Sequence, residues 1–302
     1  MNSTPAPDGA WQSRFISASD GLRLHGRIYG PRFSDIAPLV CLPGLTRNSA
    51  DFHSLALSLT RDATRRVIAL DYRGRGESGY DADWRRYDPL VEAEDALAFL
   101  TAIGVDEATF LGTSRGGLVL FVLAAMRPTL IRAAILNDIG PVIDAQGLIR
   151  IRSQVGKLPA PRNYDEAADV LRSMMGAHFT NQPQEEWLDQ ARATWREAEG
   201  GLTPRYDRAL MNGLALLDLE KPLPNLWPHF MALRHVPLLA IRGANSDLFT
   251  AGTLAEMAAR HPDCETLTVP DQGHAPLLTD APTQAAIEAF LTRVDARLNR
   301  AA

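Results

Sequence analysis

Thr109-Phe110-Leu111-Gly112-Thr113-Ser114-Arg115-Gly116-Gly117-Leu118 runs from a short apolar segment, through a serine flanked by glycines, into a stretch with helical period. A brief apolar run without alternation is the pattern of a strand buried on both faces. The G-x-S-x-G that follows is a turn so tight that a side chain at 112 or 116 would collide with its surroundings, which calls for glycine at both. Such a turn holds Ser114 in a strained backbone conformation, its hydroxyl exposed at the positive end of the next helix. That is where a nucleophile belongs.

The same alternation extends to either side. Pro38–Leu42, Val67–Leu70, Ala133–Leu136, Val236–Ile241 and Glu265–Val269 are further short apolar runs. Helical period marks about 51–59, 90–100, 118–126, 254–259 and 287–298 between or after them. Strand then helix, repeated, gives an α/β fold with a mostly parallel sheet and helices on both faces. From Phe15 to Tyr29, two alternating segments around Asp20-Gly21 predict an antiparallel hairpin at the N-terminal edge.

The stretch from about Pro141 to Arg234 breaks this rhythm. It shows no convincing buried strand, and 164–175, 184–197 and 206–217 read as amphipathic helices. Pro159-Ala160-Pro161 and Pro222-Leu223-Pro224 are joints within it. The expected organisation is a core of residues 1–139 and 235–302, with 140–234 inserted as a helical cap over the C-terminal edge of the sheet. Open α/β sheets bind their ligands at that edge.

Composition limits the function classes. Charged residues make up 22% of the 302-residue chain and the net charge is −5 without a dense basic block, so neither nucleic acid nor an acidic membrane is an expected partner. Two cysteines cannot frame a disulfide scaffold, and Cys41 lies in a strand as core filler. The first residues have neither a basic start nor an apolar core of a leader, and no stretch has the roughly 18 apolar residues of a membrane span, so a cytoplasmic protein is expected. No His-x-His or Cys/His cluster has metal-ligand spacing.

A serine hydroxyl needs a base beside it. Of seven histidines, His274 alone sits in a glycine-bearing turn after the last strand, in Gln272-Gly273-His274-Ala275-Pro276. The third member has to be a carboxylate that fixes the imidazole tautomer. Asp247, in Arg242-Gly243-Ala244-Asn245-Ser246-Asp247, is the expected acid because it completes the order Ser…Asp…His; Asp138, at the end of the preceding strand, is the alternative. Oxyanion donors are expected from the backbone N–H of Arg115 and from that of Leu45 in Pro43-Gly44-Leu45-Thr46.

These blocks, with Asp71-Tyr72-Arg73-Gly74-Arg75-Gly76-Glu77-Ser78, occur in an order that resembles the α/β-hydrolase superfamily. The chain is similar in particular to the lidded branch of small-molecule esterases, enol-lactonases and carbon–carbon bond hydrolases. The resemblance implies an eight-stranded core sheet, a helical cap and no cofactor. Three departures matter: Pro43-Gly44 stands where many relatives have His-Gly, Ala275 where ring-cleavage hydrolases often carry Trp, and the nucleophile is Ser114 rather than Asp. The last argues against haloalkane dehalogenases and epoxide hydrolases.

The expected activity is hydrolysis of a small carboxylic ester or lactone through an acyl-enzyme on Ser114. A carbon–carbon hydrolase, an acyltransferase or perhydrolase, and a non-catalytic binding protein on the same fold stay open. Met174, Met175, Trp187, Trp195 and Trp227 are candidate substrate contacts, or hold the cap together. Arg115 either attracts a substrate carboxylate, tethers the cap or pairs with a core acid. The Asp71–Ser78 block reads as a structural loop bordering the pocket. Oligomeric state is not legible.

Overall fold

The computed structural model describes residues 3–5, 9–157 and 160–298; Pro159 of the first proline joint lies outside them, as does most of the N-terminal segment that bears on a leader. Its strands are β1 (Ser3–Pro5), β2 (Gln12–Ser17), β3 (Arg23–Tyr29), β4 (Leu39–Leu42), β5 (Val67–Asp71), β6 (Ala108–Thr113), β7 (Ile131–Asn137), β8 (Trp195–Ala198), β9 (Gly201–Pro204), β10 (Leu238–Gly243) and β11 (Cys264–Val269). The main sheet runs β1-β2-β3-β5-β4-β6-β7-β10-β11. From β5 to β11 every neighbour is parallel, and β1, β2 and β3 are antiparallel. The eight expected strands are present, with the three-residue β1 added at one edge.

Two apolar layers cover the sheet, and the two-residue period of a strand divides side chains between them. Val40 and Leu42 face the layer that holds Phe99 of α2 (Pro89–Ala102) and Val119 of α3 (Arg115–Met126). Leu39 and Cys41 face the other, with Leu55 of α1 (His53–Leu59) and Phe290 of α10 (Ala281–Leu298). β4 and β5 are buried throughout, which is why they read as unbroken apolar runs. β11 was grouped with them by its sequence, yet it is the exposed edge strand, with three of its residues in solvent.

Residues 141–234 connect β7 to β10 and carry α4 (Ala145–Gln154), α5 (Tyr164–Met175), α6 (Gln184–Thr194), α7 (Met211–Ala215) and α8 (Trp227–Met231); α9 (Ala251–Arg260) follows β10. This stretch has its own apolar cluster, including Leu171, Phe179, Trp187, Trp195 and Leu202. Two expectations are corrected here. α6 stops at Thr194, and Trp195 opens the β8–β9 hairpin, turned by Gly200 at φ +83°. The Glu199-Gly200-Gly201 turn signal outweighs the helical period read across it. The segment 206–217 is a 3-10 turn and the five-residue α7 rather than one long helix.

Candidate active site

Ser114 sits between β6 and α3 at φ +50°, ψ −111°. Glycine on both sides is a steric necessity: a Cβ at Gly116 would lie 2.1 Å from the Leu42 carbonyl oxygen, and one at Gly112 would lie 2.6 Å from Gly116 C. His274, in the loop after β11, has its Nε2 2.8 Å from Ser114 Oγ. Its Nδ1 is 2.7 Å from Asp138 Oδ2. An ionised carboxylate only accepts, so Nδ1 carries the hydrogen and Nε2 accepts from the serine hydroxyl.

The acid beside His274 is therefore Asp138, not Asp247. Asp138 is fully buried at φ +55°. It accepts three hydrogen bonds: from His274, from the Gly243 N–H at 2.7 Å and from the Ser246 hydroxyl at 2.5 Å. The loop expected to supply the acid instead supplies two of its donors. Asp247 is committed elsewhere, gripping Arg150 Nε and Nη2 at 2.6 and 2.8 Å. The reason is strand order. β7 is the direct neighbour of β6 and Thr113 pairs in register with Asn137, so the residues that follow, Ser114 and Asp138, leave the sheet edge together. β10 lies one strand further out, and Asp247 comes four residues after its end.

Leu45 and Ser114 line one cavity of about 200 Å³ between the sheet edge and the inserted segment. The Leu45 carbonyl accepts from Arg75 Nε at 2.8 Å, and the Gly44 carbonyl from the Arg47 N–H at 3.2 Å. These bonds fix the turn on which the Leu45 N–H sits. Arg115 begins α3, so its N–H has no carbonyl one turn back to bind within the helix. Its side chain turns into the core, donating from Nε to Glu92 Oε2 at 2.7 Å and from Nη2 to the Tyr87 carbonyl at 2.8 Å. Arg75 closes on the other Glu92 oxygen at 2.8 Å. Burial works to raise the Glu92 carboxyl, but the two arginines outweigh it and hold it below its usual range. Of the alternatives for Arg115, the core ion pair is the one present.

Met174 and Met175 line the cavity, joined by Ile151, Val155 and Leu171. The three tryptophans do not. Trp187 stands edge-on to Phe179 and Trp195 is wholly buried, both inside the apolar cluster of the insertion. Trp227 packs on Phe230 and under Arg260, on the helix layer of the core. Sequence reading missed Arg47, Arg150, Gln190 and Tyr206 on the wall; they come singly from the loop after β4, from α4, from α6 and from the segment after β9, and residues so scattered along the chain carry no motif. Nor does the Asp71–Ser78 block border this cavity. Asp71 accepts from His25 Nδ1 and the Ser49 and Glu77 N–H groups, tying that loop to the turn before α1. Among the described residues no group of three or more His, Cys, Asp or Glu side chains could hold a metal, and no helix is long and apolar enough to cross a membrane.

Residues 37–281 match the sequence profile of the alpha/beta hydrolase fold. The chain belongs to the α/β-hydrolase family. As an α/β-hydrolase it is a hydrolytic enzyme, and its relatives carry hydrolase names. It is 33% identical over 263 residues to a 3-hydroxybutyrate-oligomer hydrolase of Cupriavidus necator, covering 82% of this chain and 86% of that one. It is 27% identical over 237 residues to a 2-(acetamidomethylene)succinate hydrolase of Mesorhizobium japonicum, covering 76% and 79%. A crystal structure of an α/β hydrolase from Novosphingobium aromaticivorans superimposes with a TM-score of 0.87 at 38% identity, covering 94% of this chain and 99% of that one.

Proposed function

We propose that this α/β-hydrolase cleaves a small-molecule carboxylic ester through an acyl-enzyme on Ser114, with His274 as general base and Asp138 as the carboxylate that orients it. The observation that carries this reading is the continuous chain Ser114 Oγ–His274 Nε2, His274 Nδ1–Asp138 Oδ2, opening on a cavity lined by both apolar and polar side chains. Ser114 attacks the ester carbonyl while His274 takes its proton, and Asp138 stabilises the imidazolium so formed. The N–H groups of Arg115 and Leu45 receive the developing oxyanion. His274 then protonates the departing alcohol and activates the water that releases the acid. Residues 140–234 act as the cap that encloses the acyl chain. The oligomer-hydrolase relative, whose name denotes esters of a small hydroxy acid, supports the substrate class.

The test is hydrolysis of p-nitrophenyl esters from acetate to octanoate by wild type and Ser114→Ala. Turnover by wild type and a loss of at least about 10³-fold in the variant are expected. Full turnover by Ser114→Ala would sink the proposal. Wild type inert toward every ester, but labelled at Ser114 by a fluorophosphonate, would shift the assignment to a carbon–carbon or acyl-transfer substrate.

A further inference from the structure

The cavity wall carries two arginines, and they are in different situations. Arg47 has four of its five N–H donors occupied: Nε and Nη2 fork onto Asp51 at 2.7 and 2.6 Å, Nη1 reaches Thr194 Oγ1 at 2.6 Å, and Nη2 also reaches Gln190 Oε1 at 2.7 Å. It works as a clamp between the core and the inserted segment. Arg150, on α4, forks onto Asp247 through Nε and Nη2, but its Nη1 has only Gln154 Oε1 at 3.4 Å, beyond an effective hydrogen-bond length. A guanidinium has five N–H donors in one rigid plane, and Asp247 leaves a share of them unused.

We infer that Arg150 anchors a free carboxylate on the substrate, so that the ester taken by this site is an anionic one. The inference rests on the ester-hydrolase reading above and narrows it. Arg150 shares the cavity with Ser114 and His274, and the other cation on its wall, Arg47, is engaged by Asp51, Thr194 and Gln190. The Arg150 side chain is only 19% exposed, and there a charge-assisted pair between guanidinium and carboxylate is stronger than on an open surface. Asp247 supplies the preorganisation. Its bidentate grip holds the guanidinium in place before any ligand arrives, so binding does not have to order a long side chain. Burial tends to raise the Asp247 carboxyl, but the hydrogen bonds and charge of Arg150 prevail and keep it below its usual value, ionised at neutral pH. An aspartate released from orienting His274 thus becomes a positioning residue for Arg150.

The experiment compares esters that differ only in a terminal carboxylate or primary amide. One pair carries it on the acyl side (p-nitrophenyl hemiglutarate and glutaramate), the other on the alcohol side (3-butyryloxybutanoate and 3-butyryloxybutanamide). Wild type is expected to favour the carboxylate in at least one pair by about tenfold or more in kcat/KM, chiefly through KM. Arg150→Met should bring that ratio to one or below, and Arg150→Lys should keep part of it. Equal or better turnover of both amides by wild type overturns the inference, as does a preference that survives in Arg150→Met. Protection of Ser114 from a fluorophosphonate probe by glutarate but not glutaramide gives a readout that needs neither turnover nor a folded variant; equal protection by the two, or none by either, counts against the anchor. Wild type that hydrolyses none of the four esters, yet is protected by glutarate alone, overturns the ester reading and leaves the carboxylate site standing.

Discussion

Thr113 and Asn137 are partners in the parallel ladder between β6 and β7, and Asn137 Nδ2 donates to Thr113 Oγ1 at 3.1 Å. The residues after them, Ser114 and Asp138, both adopt positive φ and turn out of the sheet side by side, at +50° and +55°. One imidazole then bridges the two side chains. The site is in effect two adjacent strand ends with His274 laid across them.

This relationship separates the two aspartates experimentally. Asp138→Asn leaves an amide facing Nδ1, which favours the wrong tautomer, and a loss on the order of 10⁴ in kcat on p-nitrophenyl butyrate is expected. Asp247→Asn leaves the His274 chain intact, so its kcat should fall by at most about tenfold, with the larger change in KM. Steady-state kinetics of the two variants near neutral pH decide the matter. Comparable losses in kcat would mean that Asp247, and not Asp138 alone, supports the base.

Gly116→Ala tests the serine turn. The added methyl would stand 2.1 Å from the Leu42 carbonyl oxygen, a backbone atom of the central strand β4 that cannot step aside as a side chain could. A destabilisation of about 2–4 kcal/mol is expected from urea titration, together with loss of hydrolysis as Ser114 is displaced. An alanine variant of wild-type stability would show that the elbow is looser than this geometry requires.

Much of this is legible in the sequence. The core strands announced themselves because burial on both faces forces continuous apolar runs, and Gly112-Thr113-Ser114-Arg115-Gly116 was legible because steric exclusion demands glycine. His274 was legible by position in the chain. What failed to show was whatever depends on lateral strand order. Asp138 and Asp247 both follow strands, and only the adjacency of β6 and β7 favours the former. The tryptophans misled for a related reason: large apolar side chains serve equally as ligand contacts and as filler, and the insertion needed filler of its own.

Exchanging residues within the inserted segment should make that last distinction visible. Trp195→Ala empties a fully buried site and is expected to cost about 3–5 kcal/mol in urea, with the preferred ester chain length unchanged. Met175→Trp adds bulk to the cavity wall and should shorten the preferred acyl chain. A chain-length profile measured for both variants checks the assignment. A shift caused by Trp195→Ala and none by Met175→Trp would reverse it.

The last expectation concerns pH. His261, at the end of α9, is buried, with Nε2 3.1 Å from the Leu233 carbonyl and Nδ1 3.1 Å from the Asp263 N–H. A carbonyl accepts and an amide N–H donates, so the neutral ring with its hydrogen on Nε2 satisfies both partners. A proton added at Nδ1 would face another N–H. Burial accordingly holds the pKa below its usual 6.5. In the unfolded chain His261 titrates at its usual value, so below pH 6.5 the unfolded state binds the more protons. The stabilisation from this residue is therefore complete above pH 6.5 and declines as pH falls toward the folded-state pKa. His261→Gln can donate to Leu233 and accept from Asp263 without titrating. Its urea-derived stability should fall less steeply than that of wild type between about pH 6.5 and 5, by at most the slope of one proton, about 1.4 kcal/mol per pH unit. Taking the difference between the two proteins cancels the contribution of the other histidines. Parallel pH profiles would show that His261 does not contribute this stability as a neutral ring.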